Sequence, residues 1–282
     1  MESILSNEIN QSSVAILTDG RLRQAQLRML DMLKVIDAIC VKHQLVYWLD
    51  AGTLLGAIRH QGFIPWDDDM DIAMPRESYE KFLKVAPLEL PADIHLQLAG
   101  IEAGYYNLGA PLKIRDRRSY YLERHEKGNE PYVQGIFIDV FVYDKMIVTP
   151  WKRRFYKRIS RKLLRMLGTK HSPLSMGRSH NLYRALGYIF PKVILNHGLD
   201  YLVRHSKKLN SPYLGRGYHC KRVTLIEFAE VFPLKRAVFE NHYFNIPYDA
   251  DSILRKEYGD YHILPPESER TLRHCRHLII EN

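Results

Sequence analysis

Between Tyr47 and Met74 the chain reads YWLDAGTLLGAIRHQGFIPWDDDMDIAM, and the end of this stretch sets the condition any fold must meet. Asp67, Asp68, Asp69 and Asp71 place four carboxylates in five positions, directly ahead of apolar residues. If the segment leading into Met70–Met74 is a strand, its period of two puts Asp69 and Asp71 on one face and Met70 and Ile72 on the other. Like charges held side by side call for a cation. Ligands that are all oxygen, with no cysteine nearby, point to a hard ion, Mg²⁺ or Mn²⁺, rather than structural zinc. An acidic run is ordinarily a solvated loop. Here Ile64, Pro65 and Trp66 precede it and apolar alternation follows, so the carboxylates mark a turn entering a buried strand.

Upstream, Val46–Leu49 reads as a short buried strand and Gly52–Ile58 as a short helix opened by Gly52-Thr53. A helix start presents free backbone N–H groups, which suit a phosphate oxygen. A third carboxylate comes from GIFIDVFV, residues 135–142, the most strand-like segment of the chain. Asp139 interrupts it, and an Asp inside an apolar strand is costly unless paired or metal-bound. Asp139 is thus the expected partner of Asp69 and Asp71, the alternative being an Asp that faces an arginine or a loop amide.

The remaining pattern mixes helices and strands, and the expected class is α+β. Apolar residues at helical spacing predict a helix over Arg21–His43 and another over Arg76–Val85, ended by Pro87 and Pro91. Ile94–Leu98 and Pro111–Arg115 read as strands, the latter with Lys113 and Arg115 on one face, and Arg117–Arg124 as its hairpin partner. Beyond Phe232 the text suggests a packed loop with short strands, then a helix over Asp249–Tyr258 stopped by Gly259.

Charge divides the 282 residues unevenly. The net charge is +9, yet residues 151–226 alone hold 18 Lys or Arg against one acid, Asp200. Such a field attracts phosphate, whether on lipid, nucleotide or nucleic acid. Within it, WKRRFYKRISRKLLRML (151–167) is a basic amphipathic helix whose apolar stripe either packs on the protein or lies with its basic face toward anionic headgroups. A largely helical stretch, His180–Lys208, follows, interrupted at Pro191. The expected organisation is a catalytic core over 1–150, a basic helical region over 151–226 and a C-terminal segment, 227–282, packing back on the core. Three scattered cysteines argue for neither a disulfide framework nor a zinc ribbon. The N-terminal residues lack the pattern of a secretory signal, and no segment approaches a membrane span, so the expected setting is cytoplasmic or peripheral.

Carboxylates on adjacent strands, a Gly-Thr helix start and nearby cations suit metal-assisted transfer of a phosphoryl-type group. No GxSxG, GxxxxGK[ST], GxGxxG or HExxH motif competes. The run AGTLLGAIRHQGFIPWDDDMDIAMPRESYEKFL closely resembles the signature of the LicD family of phosphotransferases, which includes the fukutin-type enzymes. GIFIDVF, VFPLKRAVFENHYFNIP and LRKEYGDYHILPP resemble that family's later blocks, leaving outside only the N-terminal tail and the basic region.

The resemblance implies a nucleotidyltransferase-like mixed sheet flanked by helices, with the basic, mainly helical region as an insert. Asp69, Asp71 and Asp139 then stand as the Mg²⁺ (or Mn²⁺) ligands, with Asp139 preferred for helping to deprotonate the acceptor. Gly52 and Thr53 form the helix-start motif, and Asp67 and Asp68 orient the ligands or bind a second ion. Arg59 and Lys113 are candidates for the donor's phosphates, while Arg270 and His274 are placed to close over the site. The implied reaction moves phosphocholine from CDP-choline to a sugar hydroxyl of a cell-surface glycan precursor, of teichoic acid or lipopolysaccharide type, releasing CMP. A lipid-linked acceptor would place the enzyme on the inner face of the membrane, held there by 151–167. A choline head group calls for aromatic faces, and Trp48, Trp66, Tyr105, Tyr106, Tyr120 and Tyr121 lie near the motifs. The chain departs from the fukutin-type relatives in lacking cysteines for a zinc site. Two other readings stay open: transfer of a nucleotide or of another CDP-alcohol's phosphate, and a basic nucleic-acid-binding module, although no nucleic acid is expected.

Overall fold

The computed structural model describes residues 19–99, 101–102, 105, 111–169, 178–207, 209–217 and 224–280. Its centre is a mixed sheet built from β1 (Trp48–Leu49), β2 (Asp71–Pro75), β3 (Ile94–Leu98), β4 (Leu112–Asp116) and β6 (Phe137–Lys145), in the order β1-β2-β6-β4-β3. The fold is α+β, as the sequence pattern predicts. β6 is the axis, lying parallel to β2 and antiparallel to β4. Nine residues long, it outruns β4, and its last three pair instead with β7 (Tyr213–Arg216), which in turn carries β8 (Ile226–Glu227). The end of the basic stretch therefore extends the central sheet.

Helix α1 (Arg21–Lys42) buries Leu22, Met29, Leu33, Ile36 and Ile39 on one face, as the periodicity predicts, although Leu27 points outward. Helix α2 (Ala51–His60) follows β1, and α3 (Arg76–Glu89) follows β2. α3 runs through Pro87 rather than ending there. Pro87 sits in the last turn, where its ring removes one backbone bond from a helix about to end at Leu90.

β5 (Ser119–Glu123) is not the hairpin partner of β4. It pairs antiparallel with the C-terminal strand β11 (Cys275–Ile280), forming a separate two-stranded layer. The alternation of Tyr121 with its neighbours fits a strand, but register alone cannot tell a partner six residues away from one 150 away. The close approach of Gly135 to the β4–β5 turn enforces the geometry: a Cβ there would meet the Asp116 carbonyl oxygen at 1.8 Å. Gly135→Ala should therefore destabilise the protein by about 3 kcal/mol, read by urea denaturation, because neither backbone can give way.

C-terminal to the sheet, α7 (Phe228–Val231), the β9–β10 hairpin (Lys235–Phe239, His242–Ile246) and α8 (Ala250–Tyr258) cover the β1 edge and α2. Gly259 ends α8 at φ 71, as the sequence suggests. The basic region forms a three-helix arm: α4 (Pro150–Thr169), α5 (Arg178–Ile189) and α6 (Lys192–Lys207), broken at Pro191. Met166, Leu167 and Leu195 make its small core.

Candidate active site

The register of the sheet lines up Asp71 of β2, Asp139 of β6 and Lys113 of β4 on three neighbouring strands. Adjacent strands lie about 4.8 Å apart, so the two residues stand side by side on one face of the sheet. Asp69, two residues before Asp71, precedes the strand. Asp69 and Asp71 are each 8% exposed, and the Asp139 side chain 13%. Burial first, then the mutual repulsion of Asp69 and Asp139, holds the Asp71 carboxyl well above the usual carboxylate range. Burial likewise pushes Asp69 up to about 6, opposed by His274 and Lys113. Burial raises Asp139 too, against the pull of Lys113, whose ammonium lies 2.9 Å from Asp139 Oδ1.

Lys113 is 1% exposed and shared. Its Nζ also reaches Glu123 Oε1 at 3.2 Å and sits over the Phe137 ring. Glu123 in turn meets Arg115 at 2.8 Å, and Arg115 meets Glu126 at 3.3 Å. Burial raises the Glu123 carboxyl, but the two cations outweigh it and hold the group down, to about 2. The sequence anticipated Lys113 and Arg115 on one face; that face carries a buried charge network behind Asp139.

The other side of the row is fixed from α2. The Asp71 N–H donates to Thr53 Oγ1 at 2.8 Å. Asp50, the residue before α2, turns its carboxylate away from the helix to accept from Tyr143 Oη at 3.1 Å and Arg216 Nε at 2.9 Å. Arg216 also bonds Glu257 at 3.2 Å, so β7 and α8 are tied to the base of the site. Thr53→Val would leave the buried Asp71 N–H without a partner. The expected loss is about 2 kcal/mol in urea denaturation together with lower turnover, and Thr53→Ser should retain both.

The remaining acids have separate tasks. Asp68, 1% exposed, accepts from the backbone N–H groups of Arg273, His274 and Cys275 at 3.1, 2.9 and 2.6 Å. That grip sets His274 Nε2 at 3.1 Å from Asp69 Oδ2. Asp67 lies against the start of α2, where a Cβ on Gly52 would meet its Oδ2 at 2.9 Å. Gly52 leaves room for that approach, and a larger residue would have to displace the Asp67 carboxylate. Burial and the neighbouring Asp69 and Asp68 raise the Asp67 carboxyl well above its usual range.

Arg59 donates to the Tyr261 carbonyl at 2.6 Å, at the rim of α2. Trp66 is partly exposed, with the Arg270 guanidinium 5.2 Å from its ring centre and His60 edge-on at 6.4 Å. Two of the aromatics considered for a choline site are core residues. Trp48, 1% exposed, packs on Tyr143 and Phe232, and Tyr121, also 1% exposed, donates to the Asp68 carbonyl. Tyr105 is buried as well, and Tyr106 lies outside the described residues.

Among the described residues, two groups bring three candidate ligand atoms within 4.8 Å of one another: Asp68–Asp69–His274 and Glu123–His125–Glu126. In the first, Asp68 is saturated by backbone N–H groups; in the second, both glutamates are matched by Arg115 and Lys113. Asp69, Asp71 and Asp139 are not drawn to that spacing. They nevertheless keep carboxylate oxygens not spent on the backbone, and buried mutual repulsion is what a hard divalent cation relieves. Asp50, Arg216, Glu123 and Glu257 were not anticipated, because nothing in their spacing links them to the acidic run.

Residues 44–165 match the family model described as LicD/FKTN/FKRP, nucleotidyltransferase domain. Over 267 residues the chain is 30% identical to the lipopolysaccharide cholinephosphotransferase LicD of Haemophilus influenzae, covering 92% of this chain and 98% of that protein. It is also 35% identical over 83 residues to the ribitol 5-phosphate transferase FKRP of Homo sapiens, a match to 29% of this chain and 12% of that protein. An uncharacterised protein of Rickettsia typhi is 41% identical over 61 residues, 22% of this chain and 20% of its own length.

Proposed function

The chain belongs to the LicD/FKTN/FKRP nucleotidyltransferase family and is a transferase, and from that premise we propose that it moves phosphocholine from CDP-choline to a sugar hydroxyl of a cell-surface glycan precursor. The observation that carries this reading is the cross-strand row of Asp71 and Asp139, with Asp69 beside it, in a chain alignable over almost the whole length of a lipopolysaccharide cholinephosphotransferase. The acceptor oxygen bonds to the choline-bearing phosphorus, the bond from that phosphorus to the CMP oxygen breaks, and CMP leaves. The acceptor's proton passes to a carboxylate, Asp139 by preference.

Asp69, Asp71 and Asp139 would hold Mg²⁺ or Mn²⁺, which supplies neutralisation of the phosphate charge. Lys113 keeps Asp139 in place from behind. Asp67, at the start of α2, and Arg59, at its rim, border the space for the donor's phosphates, and Trp66 with Arg270 lies beside it. Teichoic acid and lipopolysaccharide precursors are both sugar-hydroxyl acceptors of the kind required.

A second reading has a specific motive. Likeness to a ribitol 5-phosphate transferase makes another CDP-alcohol a natural donor for the same residues. A mass-spectrometric screen with divalent metal present, offering CDP-choline, CDP-ribitol, CDP-ethanolamine and nucleoside triphosphates, separates these. CDP-choline should give the fastest CMP release. Turnover of triphosphates alone, with pyrophosphate as product, would sink the proposal in favour of nucleotide transfer. Among the described residues no helix is long and apolar enough to cross a membrane. A peripheral seat on an anionic inner leaflet, with α4 against the headgroups, would bring the site to a lipid-linked acceptor.

A further inference from the structure

The three-helix arm has an inside and an outside. α4 and α6 run antiparallel: Leu163 packs on Gly198, Met166 and Leu167 on Leu195, and the Tyr156 ring stacks on His205 at 5.3 Å. α5 adds Tyr183 and Leu186 to the same small core. What is left outside is unusual. Around the α5–α6 turn Ile189 is 69% exposed, Val193 66% and Ile194 57%, with Tyr188 and Phe190 beside them. Single exposed apolar residues are ordinary, but five of them across one tight turn make a patch that water does not favour.

Alongside lies a cleft of about 640 Å³ lined by Arg154, Lys157, Arg158, Arg161, Lys162 and Arg165, with Tyr183 as its far wall. Among the described residues no acidic side chain lines it. Tyr183, whose ring centre lies 5.6 Å from the Arg165 guanidinium, is the part of the cleft that α5 supplies. Tyr183 is six residues before Ile189 on one helix, about 9 Å at helical rise. An apolar face seated in a bilayer interface enters about 5–10 Å. With the turn buried to that depth, the cationic end of the cleft stands at the level of the lipid phosphates.

We infer that the α5–α6 turn is a membrane-inserting tip, and that the cleft beside it takes the phosphates of anionic phospholipids. This rests on the proposed peripheral attachment and deepens it by naming the inserting residues. A bilayer with anionic headgroups offers both halves of the match, apolar chains for the turn and phosphates for the cleft, within that one short distance.

Sedimentation of the full-length protein with sucrose-loaded vesicles tests this. Wild type should pellet with vesicles containing phosphatidylglycerol and far less with phosphatidylcholine alone, in a salt-dependent way. Ile189→Glu with Val193→Glu, at exposed positions and with an unchanged melting temperature, should weaken partitioning at least tenfold. Replacing Arg158, Arg161 and Lys162 by Gln should remove the preference for phosphatidylglycerol, a change of about 100-fold. Ile189→Trp should be quenched by acyl-brominated lipid beyond the wild-type signal.

Wild-type protein that stays in solution, or a tip variant that pellets like wild type, overturns the inference. So does RNA or free polyphosphate binding that depends on the cleft and is indifferent to the tip. Self-association without lipid, abolished by the tip variant, would assign the patch to a second copy and overturn it too. CMP release by the tip variant on a soluble acceptor should match wild type, so failure of lipid docking and failure of the proposed chemistry are read separately.

Discussion

Asp71→Asn and Asp139→Asn should each lower CMP release from CDP-choline by about 10³-fold or more while leaving the melting temperature at or above that of wild type. The two effects have one origin. Asp71 and Asp139 are neighbours in a parallel register, and burial raises both above the usual carboxylate range, with Asp69 and Asp139 adding to the rise at Asp71 and Lys113 opposing it at Asp139. A carboxyl whose folded pKa exceeds its unfolded value contributes stability that is present below the unfolded value and lost as pH rises through the folded one. At neutral pH the wild type carries that cost, and the neutral amides do not. The gap between variant and wild type should therefore shrink as pH falls and the raised wild-type carboxyls take up their protons.

Lys113 does not overturn the expectation for Asp139→Asn, because its ammonium keeps Glu123 at 3.2 Å. Mg²⁺ or Mn²⁺ should raise the melting temperature of the wild type and do so much less for either variant. Retention of a tenth of wild-type turnover by one variant would remove that residue from the site. A divalent ion that shifts wild type and variants alike would remove the metal from this trio.

What could be foreseen follows from the range over which each interaction acts. The period of two sets Asp69 and Asp71 opposite Met70 and Ile72, although β2 begins only at Asp71, and the polar break in an apolar strand singles out Asp139, because both signals are local. That β6 lies parallel to β2 with Asp139 opposite Asp71 is a register, and no local pattern states it. The same limit explains the misassigned partner of β5. The sequence shows Lys113 only as a cation on a strand, which suggests a phosphate contact, because its Glu123 and Asp139 neighbours come from two other strands. Arg216 lies 145 residues beyond Asp71, in a stretch so rich in cations that nothing distinguished it. Its bond to Asp50 is what separates it from the exposed cations of α4.

Asp68 shows most sharply that the acidic run is not one ligand cluster. Asp68→Ala should cost about 4 kcal/mol of stability, because it strips a charged acceptor from three backbone N–H groups, that of Cys275 among them buried with its residue. Asp68→Asn keeps one oxygen as acceptor without the charge, and about half that loss is expected. The consequence should be local before it is global: β11 pairs with β5, so amide hydrogen exchange over Cys275–Ile280 should accelerate in the alanine variant at denaturant levels where β6 stays protected.

Activity should fall as well, since the same grip sets His274 against Asp69. Unchanged exchange in β11 would refute this role for Asp68. The contrast with Asp71 then divides four adjacent acids by what surrounds each carboxylate. Where backbone N–H groups satisfy it, as at Asp68, the charge stabilises the fold and substitution loosens the C-terminus. Where other carboxylates crowd it, as at Asp71, the charge costs stability at neutral pH, and what it gives in return is a site that attracts a cation.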